Sequence, residues 1–225
     1  MIMTAIKEFL TAKITREKID NFVAKYKSAD KLVLDLGCGD GSYKRFFPKR
    51  IGFDHRPGPN VDVVGDAHQL PFVDDRFDLI LCTELLEHLR SPEIAIREMR
   101  RVLKPDGLLL LTTRFIFPLH DIPNDYYRFT KYGLRFLFGE GWEILELKDE
   151  LTTKDTLAAL LQRIGFQANL FGGRLMKIPL FLLVKLLARA PSLIKNEFGD
   201  IRHSRPEKNI LTTGYYLVAK KKIIL

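Results

Sequence analysis

This sequence has few cysteines and no long apolar run. Two cysteines among 225 residues cannot build the dense disulfide framework of a small secreted domain. No apolar run reaches the ~20 residues that a membrane-spanning helix needs. The N-terminus carries charges from Lys7 onward and lacks the apolar core of a signal peptide, so we expect a cytoplasmic protein.

The composition is that of an ordinary globular protein, but its charge is unevenly distributed. Hydrophobic residues make up 46% and charged residues 28% of the chain, which excludes disorder of the whole protein. The net charge is +8, yet residues 163–225 hold 12 Lys and Arg against 3 Asp and Glu. The basic excess therefore lies in the C-terminal quarter, which indicates an anionic surface or partner for that quarter.

Short apolar runs alternate with helical patterns through most of the chain. The runs at 31–36, 77–82 and 108–113 are almost purely apolar, as in strands covered on both faces. Strands are predicted at 31–36, 50–54, 61–64, 77–82, 108–113, 142–147 and 213–219. Helices are predicted at 15–27, from Ser42, from a cap at Ser91 to Pro105, and at 130–138. This alternation predicts an α/β fold with a mainly parallel sheet.

Residues 149–211 depart from this alternation, with helical signals and no convincing strand. Apolar residues at helical spacing predict one buried helix face there; they are Leu157, Leu160, Leu161 and Ile164. The simplest topology is a helical insertion before the last strand. We therefore predict a single domain over 1–225, with N-terminal helices within 1–30 and a helical cap or insertion at 149–211.

A glycine-rich turn follows the first predicted strand. Gly37, Gly39 and Gly41 allow a sharp turn and the close approach of a ligand to the backbone. Asp54 ends the second strand, where a carboxylate can accept hydrogen bonds from both hydroxyls of a ribose. Asp66 ends the third strand, where its side chain could meet an adenine amino group. An ordinary strand–helix turn and a simple loop turn are the alternatives for these features.

Five ordered motifs resemble class I S-adenosylmethionine (SAM)-dependent methyltransferases, and most closely the type 11 group that includes quinone-biosynthesis C-methyltransferases. They are Asp-Leu-Gly-Cys-Gly-Asp-Gly, Gly-Asp-Ala-His-Gln-Leu-Pro-Phe, Phe-Asp-Leu-Ile, Leu-Glu-His and Arg-Val-Leu-Lys-Pro-Asp-Gly. The resemblance covers residues 31–147. It implies a three-layer Rossmann-like fold whose seven-stranded, mainly parallel sheet has an antiparallel last strand. Asp106-Gly107 replaces the usual Gly-Gly, at a turn far from the expected cofactor site.

The resemblance also implies which residues would hold SAM. Asp35 and the turn formed by Gly37, Cys38, Gly39 and Gly41 would hold its amino-acid end. Asp54, followed by His55, would hold the ribose. Asp66 and Ala67 would flank the adenine, and Thr83 would line the methionine side.

Candidate catalytic residues follow the fourth and fifth strands, because ligands of open α/β sheets bind at the carboxyl ends of the strands. They are His88, His120 and Tyr127, and each could serve as a base if the acceptor must lose a proton. His88 could instead make a structural hydrogen bond at a helix end. The loop at 118–130 could instead pack its aromatic rings and pair Arg128 with Asp125 or Asp121. We predict no metal ligands, and we expect both cysteines to be packing residues.

The segment 174–195 combines a broad apolar face with a basic stripe. Arg174, Lys177, Lys185 and Arg189 fall within about 120° on a helical wheel. Such a helix could pack on the domain, lie in a membrane interface, or pair with a second copy.

These observations favour an enzyme, a SAM-dependent methyltransferase acting on O, N or C of a small or lipid-like acceptor. One alternative is a non-catalytic SAM-binding module with the same fold. Another is an RNA methyltransferase using the basic quarter, although the apolar surroundings of Lys185 make a nucleic-acid partner the weaker prediction. The chain could be cytoplasmic or peripheral at a membrane.

Overall fold

The computed structural model describes residues 14–41, 43–171 and 173–222, so predictions for the first 13 residues and for Ser42 lie outside it. The helices are α1 (Arg16–Ala24), α2 (Pro92–Val102), α3 (Lys131–Leu137), α4 (Thr153–Gln167) and α5 (Gly173–Arg189), with a 3₁₀ turn at Leu86–His88. The strands are β1 (Val33–Leu36), β2 (Arg50–Asp54), β3 (Val63–Val64), β4 (Phe77–Thr83), β5 (Leu103–Arg114), β6 (Trp142–Asp149), β7 (Glu197–Phe198), β8 (Pro206–Glu207) and β9 (Gly214–Lys221).

Seven strands form one sheet in the order β3-β2-β1-β4-β5-β9-β6. Strands β1 to β5 pair in parallel, and β9 runs antiparallel to β5, with Leu111 opposite Leu217. The predicted fold class, including the antiparallel last strand, is confirmed. The order reverses between β1 and β4, so the strand ends diverge there and open a crevice, as in other doubly wound sheets.

Both faces of the sheet are covered, which explains the continuous apolar runs in the sequence. Leu34 and Leu36 of β1 belong to a core cluster with Met99 and Val102 of α2. Val33, just before Leu34, points the other way and packs in a second cluster that includes Phe22 of α1. Strand side chains alternate between faces, so a strand that is buried on both sides has no polar alternation.

The contacts within the chain divide it into two compact units. The sheet and its neighbours form the larger unit, which runs through 19–115, 119–148 and the chain after Gly214. Residues Asp149–Thr213 and Ile116–Pro118 belong to the smaller unit, together with residues 14–18. Among the described helices, none is long and apolar enough to cross a membrane.

Three local predictions were wrong. Instead of a helix after Ser42, the described residues there form turns, with Phe47 N–H bonded to the Tyr43 carbonyl at 3.0 Å. Pro48 explains this, because it has no N–H and disfavours a helical Phe47. Ser91 precedes α2 but makes no side-chain capping bond. The segment 149–211 does contain strands, since β7 and β8 form a short antiparallel pair.

The buried face of α4 also differs from the prediction. Leu157 and Ile164 are each 47% exposed. The face that is buried instead consists of small and polar residues, among them Thr156, Ala158 and Gln162. Hydrophobic spacing located the helix but not its orientation, because small residues permit the closest packing between backbones.

Candidate active site

A cavity of about 630 Å³ opens at the carboxyl ends of the parallel strands, within the usual size range of small-molecule sites. One side is formed by the ends of β1, β2 and β3, and the other by the segment from Leu85 to Ile94. Asn124 and Tyr126, from the loop after β5, complete the lining. The cavity therefore lies in the sheet crevice, within the larger unit.

The glycine turn after β1 forms part of the cavity floor. Gly37 has a φ of +72° and Gly39 a φ of +50°, a region that costs energy for residues with a side chain. A Cβ atom on Gly37 would also lie 2.9 Å from the Leu85 side chain. The Gly37 N–H is bonded to the Phe53 carbonyl at 2.8 Å, which fixes the turn against β2.

The carboxylate of Asp54 lines the cavity at the end of β2. It accepts hydrogen bonds from the backbone N–H of Gly39 at 3.0 Å and of Arg56 at 3.1 Å. The His55 ring nitrogen lies 3.0 Å from the same carboxylate. These contacts hold a nearly buried acid in a set orientation beside the glycine turn.

Asp66 and Ala67 line the cavity after β3. The Asp66 carboxylate accepts bonds from His68, from its N–H at 2.9 Å and its ring at 2.6 Å. These two bonds lower the pKa of Asp66 below its usual value. The other His68 ring nitrogen receives the Ser91 N–H at 3.2 Å, so His68 joins the two sides of the cavity.

Other residues predicted for the cofactor do not line the cavity. Asp35 is buried with its carboxylate 3.7 Å from the Arg50 guanidinium. Cys38 donates its thiol to the Asn60 carbonyl at 3.4 Å, and burial raises its thiol pKa to about 11. Gly39, Gly41 and Thr83 also lie outside the lining. Cys82 is fully buried, as its predicted packing role requires.

A cluster of charged side chains lies where β4 and β5 end, with the Arg114 side chain 4% and the Glu84 side chain 22% exposed. Glu84 pairs with Arg114 in close contact and accepts the Thr112 hydroxyl at 2.8 Å. Burial raises the pKa of Glu84 to about 7, against the opposing effect of the Arg114 charge. Glu87 is fully buried and accepts the Thr113 hydroxyl at 2.7 Å. Burial raises the pKa of Glu87 as well.

The three predicted catalytic residues occupy different places. His88 lines the cavity, and its Nδ1 donates to the Asn124 carbonyl at 2.7 Å. His120 does not line it, but its ring lies 4.7 Å from that of His88, centroid to centroid. Tyr127 lies outside the lining and donates its hydroxyl to the Arg90 carbonyl at 2.9 Å.

The loop after β5 is organised by an ion pair within it. Arg128 binds both carboxylate oxygens of Asp125, at 2.6 and 2.7 Å. Pairing of Arg128 with Asp125 or Asp121 is the predicted alternative to a substrate-facing loop, and the pairing with Asp125 is present. The same carboxylate accepts the His120 N–H at 2.9 Å. Burial raises its pKa, but the hydrogen bonds and charges of Arg128 and His120 together outweigh burial and lower the pKa to about 2.

Sequence reasoning missed several residues of this region. They are His68, Glu84, Arg114, Asn124 and Tyr126. Glu87 sits in the recognised Leu-Glu-His motif and Glu84 lies two residues before it, yet nothing in the sequence showed that the Glu87 carboxylate would be buried. Arg114 ends an apolar strand, and a charge in that position is the signal that could have found it.

A second, larger cavity of about 780 Å³ lies in the smaller unit. It is lined by residues 152–154 of α4, by the segment 192–198 and by 206–209. None of the sequence motifs contributes to that lining. The motif-lined cavity is therefore the candidate active site.

Known proteins resemble the chain both in sequence and in fold. The profile of a methyltransferase domain family matches residues 7–169, more than half of the chain. A protein of Encephalitozoon cuniculi named as a methyltransferase is 39% identical over 110 residues, or 44% of this chain and 50% of that protein. The ubiquinone/menaquinone biosynthesis C-methyltransferase of Pseudoalteromonas translucida is 33% identical over 127 residues, or 51% of this chain and 50% of the enzyme.

Solved structures agree on the fold. A crystal structure of a methyltransferase-family protein from Bacillus halodurans has a TM-score of 0.55 at 22% identity, covering 92% of this chain and 99% of that one. The chain belongs to the methyltransferase domain family. The resemblance read from its motifs is confirmed. The chain spans about half the length of the curated relatives it matches.

Proposed function

We propose that this protein transfers a methyl group from SAM to a small or amphiphilic acceptor. The observation that carries the proposal is the cavity in the sheet crevice, where the oriented Asp54 carboxylate stands beside the glycine turn. Membership of the methyltransferase family and a SAM-dependent methyltransferase among the structural neighbours support it. We propose no acceptor atom, because the relatives include both C- and O-methyltransferases.

The residues present fit the cofactor. Asp54 offers a buried carboxylate for ribose hydroxyls, and Gly37 lines the cavity with backbone that carries no side chain. Phe53, Leu89 and Ile94 supply apolar contacts for an adenine ring. When bound, SAM supplies a methyl group that its sulfonium makes electrophilic. The protein's tasks are to align the acceptor and exclude water.

The acceptor side is the part of the cavity formed by His88, Asn124 and Tyr126. The Asn124 carbonyl accepts from His88 Nδ1, so the proton is on Nδ1 and the lone pair on Nε2. His88 is therefore the predicted catalytic residue best placed to take a proton from an acceptor. His120 and Tyr127, outside the lining, would position the loop that carries Asn124.

Calorimetric titration with S-adenosylhomocysteine tests the cofactor site. We expect low-micromolar binding, weakened at least tenfold in Asp54→Asn (over ~1.4 kcal/mol). Gly39 and Arg56 donate to different oxygens of Asp54, so Asn keeps one acceptor for the turn and loses the charge that favours ribose hydroxyls. The matched control is Asp40→Asn, which changes an exposed carboxylate of the same turn and should bind like wild type. An absence of binding at millimolar ligand would exclude the proposed activity.

We further propose that α5 docks on an anionic membrane surface. Phe181 and Val184 are buried on one face of the helix, and the Phe181 ring lies 5.2 Å from that of Phe166 in α4. The rest of α5 exposes large apolar side chains to solvent, between 45% and 76% of each. These are Leu175, Met176, Ile178, Leu182, Leu183 and Leu186.

The positive charges of α5 favour an anionic lipid surface over an apolar protein as the partner of this helix. Lys177, Lys185 and Arg189 lie on the same helix, which carries no acidic residue. A helix with an apolar face flanked by basic residues sits in the headgroup region of anionic bilayers, where each Lys or Arg contributes about 1 kcal/mol. A dimer interface formed by the apolar face would gain no stability from these positive charges, because α5 has no acidic residue to pair with them.

Vesicle co-sedimentation tests the membrane proposal. We expect the protein to bind vesicles of phosphatidylcholine with phosphatidylserine, and to bind pure phosphatidylcholine far more weakly. The double variant Leu182→Glu/Leu186→Glu should lose at least tenfold in partitioning. Phe136→Glu is the matched control, because Phe136 is 85% exposed on α3. If the protein dimerises in the absence of lipid and the double variant abolishes that dimer, α5 is a subunit interface instead.

A further inference from the structure

Three metal-ligating side chains converge beside the candidate active site. Glu87 and His88 come from the 3₁₀ turn after β4, and His120 comes from the loop after β5. Their ligand atoms all lie within 4.8 Å of one another. Methyl transfer does not by itself explain this grouping, because one base suffices to remove a proton.

Glu87 contributes a carboxylate oxygen that has no hydrogen-bond partner. The residue is fully buried. One oxygen accepts the Thr113 hydroxyl at 2.7 Å, whereas Oε1 receives no hydrogen bond from the described residues. Oε1 lies 4.0 Å from Nε2 of His120. A buried carboxylate oxygen without a donor is costly, and a cation at this place would remove that cost.

The two imidazoles are held in the manner of metal ligands. His88 Nδ1 donates to the Asn124 carbonyl, which leaves the Nε2 lone pair available for coordination. His120 Nδ1 lies 3.4 Å from the carboxylate of Asp125, which Arg128 holds in turn. Metal-bound histidines are commonly oriented by a carbonyl or carboxylate on the other ring nitrogen. Asp121 adds a carboxylate oxygen 3.9 Å from His88 Nε2.

We propose that Glu87, His88 and His120 bind one divalent transition-metal ion, for which Zn²⁺ is the best match. Two imidazoles and one carboxylate form a ligand set typical of zinc sites that keep a position open. Ligands about 2.1 Å from a tetrahedral ion lie about 3.4 Å apart, so binding requires only a modest contraction of the cluster. The ion links the 3₁₀ turn to the loop that carries Asn124 and Tyr126.

The open position has a chemical consequence for the acceptor. His88 lines the cavity, so an ion on its Nε2 can bind an acceptor oxygen and lower the pKa of its hydroxyl. A hydroxylated acceptor would then be favoured, and His88, with its Nε2 lone pair bound to the ion, would act as a ligand and not as the base proposed for the metal-free protein. This consequence rests on the proposed methyl transfer, whereas the metal site itself does not.

The test is a metal titration of the full chain after removal of metal with a chelator. Zn²⁺ is titrated against a chromophoric competitor, and Co²⁺ loading is followed by visible absorption, which reports coordination geometry. We expect about one Zn²⁺ per chain with micromolar or tighter affinity. His120→Ala and Glu87→Gln should each weaken binding about 100-fold, because even removal of a residue that orients a ligand costs 10–100-fold.

Controls separate a built site from chance binding by histidine. His203→Ala, at an exposed histidine of the smaller unit, should leave the affinity unchanged. Zn²⁺ should also raise the melting temperature of wild type but not of His120→Ala, which remains informative if Glu87→Gln misfolds. Wild-type affinity in either ligand variant, or no binding at 100-fold excess Zn²⁺ over protein, would overturn the proposal.

Titration of the same samples with S-adenosylhomocysteine separates this proposal from the proposed function. If the protein binds metal but not S-adenosylhomocysteine, the metal site is supported and the proposed methyl transfer is rejected. Binding of S-adenosylhomocysteine without metal binding would overturn the metal site alone.

Discussion

Arg114→Met is expected to destabilise the protein by about 3–5 kcal/mol at pH 8, as does removal of one partner of a buried ion pair. The Arg114 side chain is 4% exposed and contacts the Glu84 carboxylate. Without the guanidinium, Glu84, whose side chain is 22% exposed, must either ionise without the Arg114 charge or bind a proton at pH 8, and both cost stability. Urea denaturation of the variant and wild type at pH 8 measures the difference.

The same substitution should cost about 1 kcal/mol less at pH 5, because a pKa already near 7 in the presence of Arg114 leaves little further penalty below pH 8. The pKa of Glu84 is raised from 4.5 to about 7 in the folded protein, so wild-type stability from this group falls as pH rises through that interval. Loss of Arg114 raises the pKa of Glu84 further. At pH 5 Glu84 is therefore protonated in both folded proteins, and the missing charge no longer acts on an ionised carboxylate.

Two comparisons test this explanation. The double variant Arg114→Met/Glu84→Gln should recover about 1 kcal/mol of the lost stability at pH 8, because no carboxylate remains to be compensated. Lys148 pairs with Glu146, and the Lys148 side chain is 63% exposed. Lys148→Met should therefore lower the free energy of unfolding by less than about 1 kcal/mol. Equal destabilisation by Arg114→Met at pH 5 and pH 8 would contradict the role assigned to Glu84.

Gly214→Ala is expected to destabilise the fold by about 3 kcal/mol or more, the upper range for overpacking. Gly214 begins β9 opposite Arg114 of β5. A Cβ atom there would lie 2.2 Å from the backbone oxygen of Thr113. That oxygen belongs to β5, which is paired with a strand on each side, so relief requires β5 and β9 to separate. Thermal and urea denaturation would measure the loss.

Gly133→Ala is the matched control for that substitution. Gly133 lies within α3, and the nearest atom to its Cβ position is the Thr130 hydroxyl at 3.5 Å. Its N–H still donates to Thr130 after substitution. Alanine should therefore stabilise the helix by about 0.5–1 kcal/mol. Similar losses in both variants would show that the contact with Thr113 is not the cause.

The positions of most sheet strands follow from local sequence alone. Strands β1, β4 and β5 are apolar runs because helices cover both faces of the sheet, and each such run is long enough to recognise. The glycine turn and Asp54 could be placed at one edge of the sheet, because parallel strands share the edge at which they end. The antiparallel direction of β9 was predicted from the family resemblance, because a short apolar run does not indicate the direction of a strand in the sheet.

Contacts between distant segments were not predictable. The Glu87–His120 grouping depends on how the loop after β5 folds back over the turn after β4, and no periodicity encodes that contact. The buried face of α4 was predicted wrongly for the same reason, since its small residues pack closely while Leu157 and Ile164 stay exposed.

The sequence by itself therefore determined the fold class, the order of the elements and the strand ends at which ligands bind. These properties depend on patterns within a few neighbouring residues. Only the tertiary structure decided which carboxylates are buried, which imidazoles meet and which face of α5 stays exposed. Each of these depends on desolvation and packing against residues far apart in the chain.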